Sequence, residues 1–178
     1  MVTILPGEAR LARVRLSVAR QVAQAVTDPE LPQLTLAELG ILRNVAVDGD
    51  RVVVFVTPTY SGCPAVPEIR ADLIRSLAAA GFGDVDVRTV LTPPWTSDWI
   101  SAEGRAKLAA AGIAPPRSRP DRADGPIPLT LLTARPVVAC PVCGSAETER
   151  TAAFSGTACK DLYRCRACAE PFEHVKEI

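Results

Sequence analysis

The sequence predicts an α+β fold, with a small domain of order helix, strand, strand, helix, strand, then a linker and a compact C-terminal module held by cysteines. Three observations predict it. Apolar residues recur every three to four positions in two segments and run almost unbroken in others. An Asp-Gly pair, Asp48-Gly49, joins two β-branched runs. Five of the six cysteines fall within the last 39 residues, four of them as two Cys-x-x-Cys pairs.

The first helix is predicted over 8–27, where Leu11, Val14, Val18, Val22 and Val26 are interleaved with arginines, and Asp28-Pro29 stops it. A short apolar stretch, 34–42, turns at Gly40. Two strands follow at 41–47 and 51–57. The second, through Val52-Val53-Val54-Phe55-Val56, is apolar throughout and is expected at the centre of the sheet. A loop over 58–64 leads to a helix at 65–80 with Val66, Ile69, Leu73 and Leu77 on one face and Gly81 as its C-terminal cap. A strand at 84–91 completes the unit. Both tryptophans lie in Pro93-Pro94-Trp95-Thr96-Ser97-Asp98-Trp99 and read as packing residues. Ser101 is placed to cap a short helix over 101–111. The first domain is expected over 1–112, a Pro/Arg-rich linker over 113–136 and the cysteine module over 137–178.

At 178 residues the chain suits one core and a satellite. Lysine plus arginine equals aspartate plus glutamate, 20 each, so no overall field draws the chain to nucleic acid or an anionic membrane. No apolar run reaches membrane-spanning length, and arginines interrupt 1–15 where a secretory leader would be apolar. The expected location is the cytoplasm, whose reducing conditions suit free thiols.

The cysteine module carries the stronger chemical signal. Cys140 and Cys143 form one Cys-x-x-Cys turn, Cys165 and Cys168 the other, with 21 residues between Cys143 and Cys165. Two such turns bring four thiolates into a tetrahedron with no open position, the arrangement of a structural, rubredoxin-like zinc ribbon. The same four ligands also suit iron or an iron–sulfur centre. Cys159 is a potential additional ligand, or a ribbon residue with no chemical duty. His174, the single histidine, reads as a surface residue.

A second constellation is Thr57-Pro58-Thr59-Tyr60-Ser61-Gly62-Cys63-Pro64. With Pro64 at the first helical position, Cys63 falls at or beside the N-cap, where free N–H groups and the helix dipole favour a thiolate. The competing reading is a small buried hydrophobe. No histidine stands near in sequence to serve as its base, which weighs against a thiol enzyme.

Taken in order, Asp28-Pro29-Glu30-Leu31-Pro32, Glu38-Leu39-Gly40-Ile41-Leu42-Arg43, Thr57 through Ala65, and Cys159-Lys160-Asp161-Leu162-Tyr163-Arg164-Cys165 resemble the PaaD (PaaJ) family over nearly the whole chain. These are small subunits of the phenylacetyl-CoA monooxygenase (epoxidase) system of aerobic phenylacetate catabolism. The first part is similar to the SufT-like domain used in iron–sulfur protein maturation. The resemblance implies an accessory, non-catalytic subunit acting beside a di-iron oxygenase and its iron–sulfur flavoprotein reductase. It implies a structural Zn2+ in the ribbon and a transient iron or iron–sulfur cargo at Cys63, with Asp28, Glu30 and Glu38 as candidate acidic neighbours. Glu38 stands where the family pattern usually has aspartate. The resemblance leaves room for a homodimer in which two copies of Cys63 share a cluster. It also leaves room for a structural adaptor that docks the oxygenase components without handling metal. A nucleic-acid-binding ribbon is disfavoured because Glu170, Glu173 and Glu177 oppose Lys160, Arg164 and Arg166.

Overall fold

The computed structural model describes residues 6–117 and 137–177, so 118–136 of the expected linker lie outside the described residues. The chain divides into two compact units, Met1–Gly104 and Arg105–Ile178.

In the first unit α1 (Pro6–Gln24) is followed by β1 (Leu42–Asp48), β2 (Arg51–Val56), α2 (Val66–Ala79) and β3 (Asp84–Thr89). This is the predicted order. β2 is the middle strand, antiparallel to β1 and parallel to β3, with Val54 opposite Val45 on one side and Val87 on the other. Its continuous apolar run follows from that position: Val52, Val54 and Val56 are buried on one face and Val53 on the other. The parallel pairing of β2 with β3 requires a crossover, and α2 supplies it. α1 packs on β1, α2 packs on β3, and the two helices touch. Ile69, Leu73 and Leu77, one face of α2, complete the core.

The turns show why the elements end where they do. Asp48 pairs with Arg51, leaving a two-residue turn in which Gly49 takes φ +58°, as expected for a tight hairpin. α2 stops at Gly81, with φ +90°. The N–H of Gly81 donates to Ala78 O and that of Phe82 to Leu77 O, both at 3.0 Å, the Schellman arrangement. At the other end α2 departs from expectation. It begins at Val66, with Ala65 as N-cap and Pro67 rather than Pro64 inside the first turn. Either proline can lose its N–H at a helix start, where that donor has no partner in the helix. Pro64 instead lies in a separate turn, in which the N–H of Val66 donates to Cys63 O at 3.4 Å.

Residues 25–41 are held by side chains as much as by backbone. Asp28, 5% exposed, accepts from the N–H groups of Glu30 and Leu31, both at 2.9 Å. Thr35 and Glu38 cap each other: Glu38 Oε2 accepts from the Thr35 N–H at 2.8 Å and Thr35 Oγ1 from the Glu38 N–H at 3.1 Å. Gly40, at φ +71°, lies so close to Trp99 that a Cβ there would sit 2.5 Å from the Trp99 Cβ. Trp95 is buried and donates from Nε1 to Leu39 O at 2.9 Å. The Leu-Gly segment and the tryptophan segment are therefore two halves of one packing unit. A bulge after Leu42 sets Arg43 over the Trp99 ring at 3.6 Å.

α3 (Ala102–Ala110) starts in the first unit and ends in the second, and Ser101 Oγ accepts from the Gly104 N–H at 3.0 Å, as its capping role requires. The second unit holds β4 (Ile113–Ala114), β5 (Thr148–Ala152), β6 (Lys160–Cys165) and β7 (Pro171–Val175) in the order β4-β7-β6-β5. Ile113 and Ala114, at the start of the expected linker, are thus a strand parallel to β7. Composition hides this because only two apolar residues are involved. The apolar cluster is small: Ala114, Val138, Phe172 and the ligand-position residues Cys140 and Cys165, with Tyr163 packed against it.

Candidate functional site

The four cysteines of the two Cys-x-x-Cys turns converge. Their sulfurs all lie within 4.8 Å of one another, with Cys140 to Cys168 at 3.8 Å and Cys143 to Cys165 at 3.6 Å. Metal–sulfur bonds of about 2.3 Å in a tetrahedron set sulfurs about 3.8 Å apart, so the geometry fits. Each turn is shaped by backbone. Gly144 at φ +73° donates to Cys140 O at 2.9 Å, and the Cys165 N–H donates to Glu170 O at 2.9 Å while Ala169 takes φ +65°. The N–H of Cys168, then that of Ala167, pulls the Cys165 thiol down to about 7. Cys168 goes the other way: the Glu170 N–H lowers it, but the crowding sulfurs of Cys143, Cys165 and Cys140 push it up to about 12. Four thiolates this close need a cation among them. Cys140 and Cys165 are buried, Cys143 and Cys168 exposed.

Cys159 does not join them. Its sulfur lies 3.1 Å from Thr157 Oγ1, and its carbonyl accepts from the Lys176 N–H at 2.9 Å. Among the described residues the four-cysteine group is the one cluster with metal-ligand spacing. His174 is not the surface residue expected from sequence. It is buried, with Nδ1 2.9 Å from Asp161 Oδ1, while Asp161 Oδ2 pairs with Arg150 Nε at 2.9 Å. Tyr163 meets the ring edge-on at 5.6 Å. Strand period was the missed signal: Asp161, Tyr163 and Cys165 alternate onto one face of β6, opposite His174 and Phe172 of β7. Asp161 thus satisfies Nδ1 of the buried His174, whereas Nε2 of the same ring is buried without a hydrogen-bond partner.

In the first unit Cys63 lies on the β2–α2 loop, half-buried, ahead of the helix N-cap rather than at it. Its thiol is raised, not lowered. Burial is the largest cause, and the charges of Glu30 and Asp28 add to it, against hydrogen bonds from the Ala65 N–H and the Thr59 side chain. The expected activation by the helix terminus is overridden chiefly by burial, to which the negative charge of Glu30 and then of Asp28 adds. Glu30, Asp28 and Thr59 are thus among the residues whose charge or hydrogen bonding acts on the Cys63 thiol. The Glu38 carboxylate accepts from the Thr35 N–H, as that of Asp28 accepts from the N–H groups of Glu30 and Leu31.

The two units match two families. Residues 6–92 match the family "Iron-sulfur cluster assembly protein" and residues 124–176 the "PaaD zinc beta ribbon domain". A protein of Staphylococcus aureus (strain USA300) named Fe-S protein maturation auxiliary factor SufT is 35% identical over 48% of this chain and 99% of its own length. The crystal structure of a domain of unknown function, DUF59, from Bacillus anthracis superposes with TM-score 0.52 at 26% identity, covering 56% of this chain and 96% of that one. The chain is thus an iron–sulfur-assembly-type α+β domain joined to a metal-binding cysteine ribbon. A protein of Escherichia coli (strain K12), provisionally named as one of the subunits of 1,2-phenylacetyl-CoA epoxidase, is 40% identical over 86% of this chain and 87% of its own. The chain belongs to that family, PaaD. No helix among the described residues is long and apolar enough to cross a membrane.

Proposed function

We propose that this protein is a cytoplasmic accessory subunit of the phenylacetyl-CoA epoxidase system that assists assembly of iron or iron–sulfur centres in partner subunits and performs no oxygenation itself. The observation that carries this reading is the negative charge of Glu30 and Asp28 acting on the Cys63 thiol. Negative charge that disfavours a bare thiolate favours a cation at the same place, so arriving iron would bond to the Cys63 sulfur as the thiol proton passes to a nearby carboxylate or to water. Iron here is cargo. The partners on this reading are the iron–sulfur flavoprotein reductase and the di-iron oxygenase, and a homodimer sharing a cluster at Cys63 is one arrangement for the transfer. On this reading transfer belongs to the first unit, 1–104, and a structural Zn2+ to the cysteine turns of the second, whose sheet includes Ile113 and Ala114. Glu38, whose carboxylate caps the Thr35 turn, remains the third candidate acidic neighbour of the cargo on this reading.

The decisive comparison is wild type against Cys63→Ser in cells, scored by iron and sulfide in the purified reductase and oxygenase and by metal per chain in the protein itself. The expected result is under-loaded partners with the ribbon metal intact. Fully loaded partners would overturn the transfer reading and leave an adaptor. The adaptor draws its support from Asp28 and Glu38, whose carboxylates accept hydrogen bonds from neighbouring backbone N–H groups and so have structural work of their own.

A further inference from the structure

α1 carries two apolar stripes, and its unit covers one of them. Ala19 and Ala23 are fully buried. Leu11, Val14 and Val18, spaced as a helix normally spaces residues for burial, remain 61%, 54% and 40% exposed. Beside Val14 and Val18 runs an open groove of about 470 Å³, completed by Phe82, Gly81 and Gly83 at the Schellman turn and by Asp50 and Asp84, each paired with an arginine, Arg15 and Arg51. Arg15 closes one side, 5.9 Å over the Phe82 ring and 2.7 Å from Asp50.

The opposite flank is basic. The charged residues of α1 are Glu8 in its first turn and four arginines, Arg10, Arg13, Arg15 and Arg20. Arg15 is neutralised by Asp50, whereas Arg10, Arg13 and Arg20 form no ion pair among the described residues. Arg13 and Arg20 line a groove of about 490 Å³, and Arg20 continues into a second of about 380 Å³ that includes Arg43. Among the described residues no acidic side chain lines either groove. In a chain of zero net charge this is a local concentration of one sign.

We propose that the outer face of α1 is a docking surface for an acidic segment of another protein. An apolar ridge of that segment seats between Val14, Val18 and Phe82, and its carboxylates meet Arg10, Arg13 and Arg20. Apolar surface rimmed by charge marks protein contacts, and arginine suits an interface because its fork binds carboxylates in pairs. Charge selects the occupant: a second copy would bring the same unpaired arginines against each other, whereas an acidic partner is drawn in and oriented. The proposal rests on the accessory-subunit reading in that the acidic segment is assigned to an epoxidase component.

The test uses the full-length, metal-loaded protein and the purified oxygenase and reductase components of the same system, with binding followed by calorimetry at low and high salt. Two double variants accompany wild type, Val14→Asp with Val18→Asp, and Arg13→Glu with Arg20→Glu. All four residues are exposed, and thermal melts with metal analysis verify folding. Wild type is expected to bind one component with an affinity that falls as salt rises. The apolar pair should weaken it roughly tenfold or more, and charge reversal should also abolish the salt dependence. If both variants bind as wild type does, the docking face is elsewhere and the accessory reading stands. Failure of wild type to bind either component overturns both. If the variants dissociate a wild-type dimer while component binding is unchanged, the face serves a second copy and the proposal is lost.

Discussion

Residues 1–104 and 105–178 solve the same problem with different materials. The first unit encloses Val52, Val54, Leu73 and Leu77 completely beneath two helices, and Leu34 and Leu36 are as deeply buried. The second has a four-stranded sheet but a core of a few residues, two of which are cysteines. Apolar burial of about 25 cal/mol per Å² can hold the first together. The second has too little of it and relies on bonds to a metal, which in small cysteine sites supply about 10 kcal/mol or more of folding free energy. The difference teaches where each unit is vulnerable.

Removing the metal breaks the comparison most sharply. A strong chelator, or Cys165→Ser, should abolish the cooperative structure of 137–177 while leaving the first unit's melting transition within a few degrees of its starting point. Paired spectra of amide signals from the two units would show it, and concerted loss of both would refute independent stabilisation. A smaller effect is expected from Gly40→Ala. The new Cβ meets Trp99 at 2.5 Å in a left-handed backbone conformation, which should cost about 2–4 kcal/mol from overpacking and backbone strain. Denaturant melts should register the loss in the first unit only. Unchanged stability would mean that the Gly40–Trp99 contact is not a close one.

The smallest effect sharpens the comparison at the level of single thiols. One ribbon sulfur, Cys165, is held low, whereas Cys63 is raised by burial and by Glu30 and Asp28. A raised acid keeps its proton longer, so alkylation of Cys63 should be slow at neutral pH and climb about tenfold per pH unit until pH passes that elevated value. Glu30→Gln removes one of the opposing charges and should speed the reaction at fixed pH. Mass spectrometry of the Cys63 peptide separates it from Cys159. A rate indifferent to Glu30→Gln would remove Glu30 from the site.

Much of this was legible in the sequence. The helix–strand–strand–helix–strand order followed from apolar period and from Asp48-Gly49, and the convergence of the four ribbon cysteines from their spacing, because both signals are local. What was hidden depends on residues far apart in the chain. The elevated thiol of Cys63 comes in part from carboxylates more than 30 positions earlier, which no rule about helix termini contains. Pro64 and Pro67 are equally acceptable at a helix start, and the fold uses the second. The partnership of Gly40 with Trp99 and of Asp161 with His174 required the tertiary structure, since glycine, histidine and tryptophan each have commoner local uses.

The alternation of buried and exposed ligands around the ribbon, Cys140 and Cys165 inside with Cys143 and Cys168 outside, makes the site one-sided. Peroxide or a competing thiol meets Cys143 and Cys168 first. A metal held by the four would keep two shielded ligands, Cys140 and Cys165, when the exposed two are attacked. Oxidative stress would therefore reach this ribbon first through Cys143 and Cys168, its exposed sulfurs.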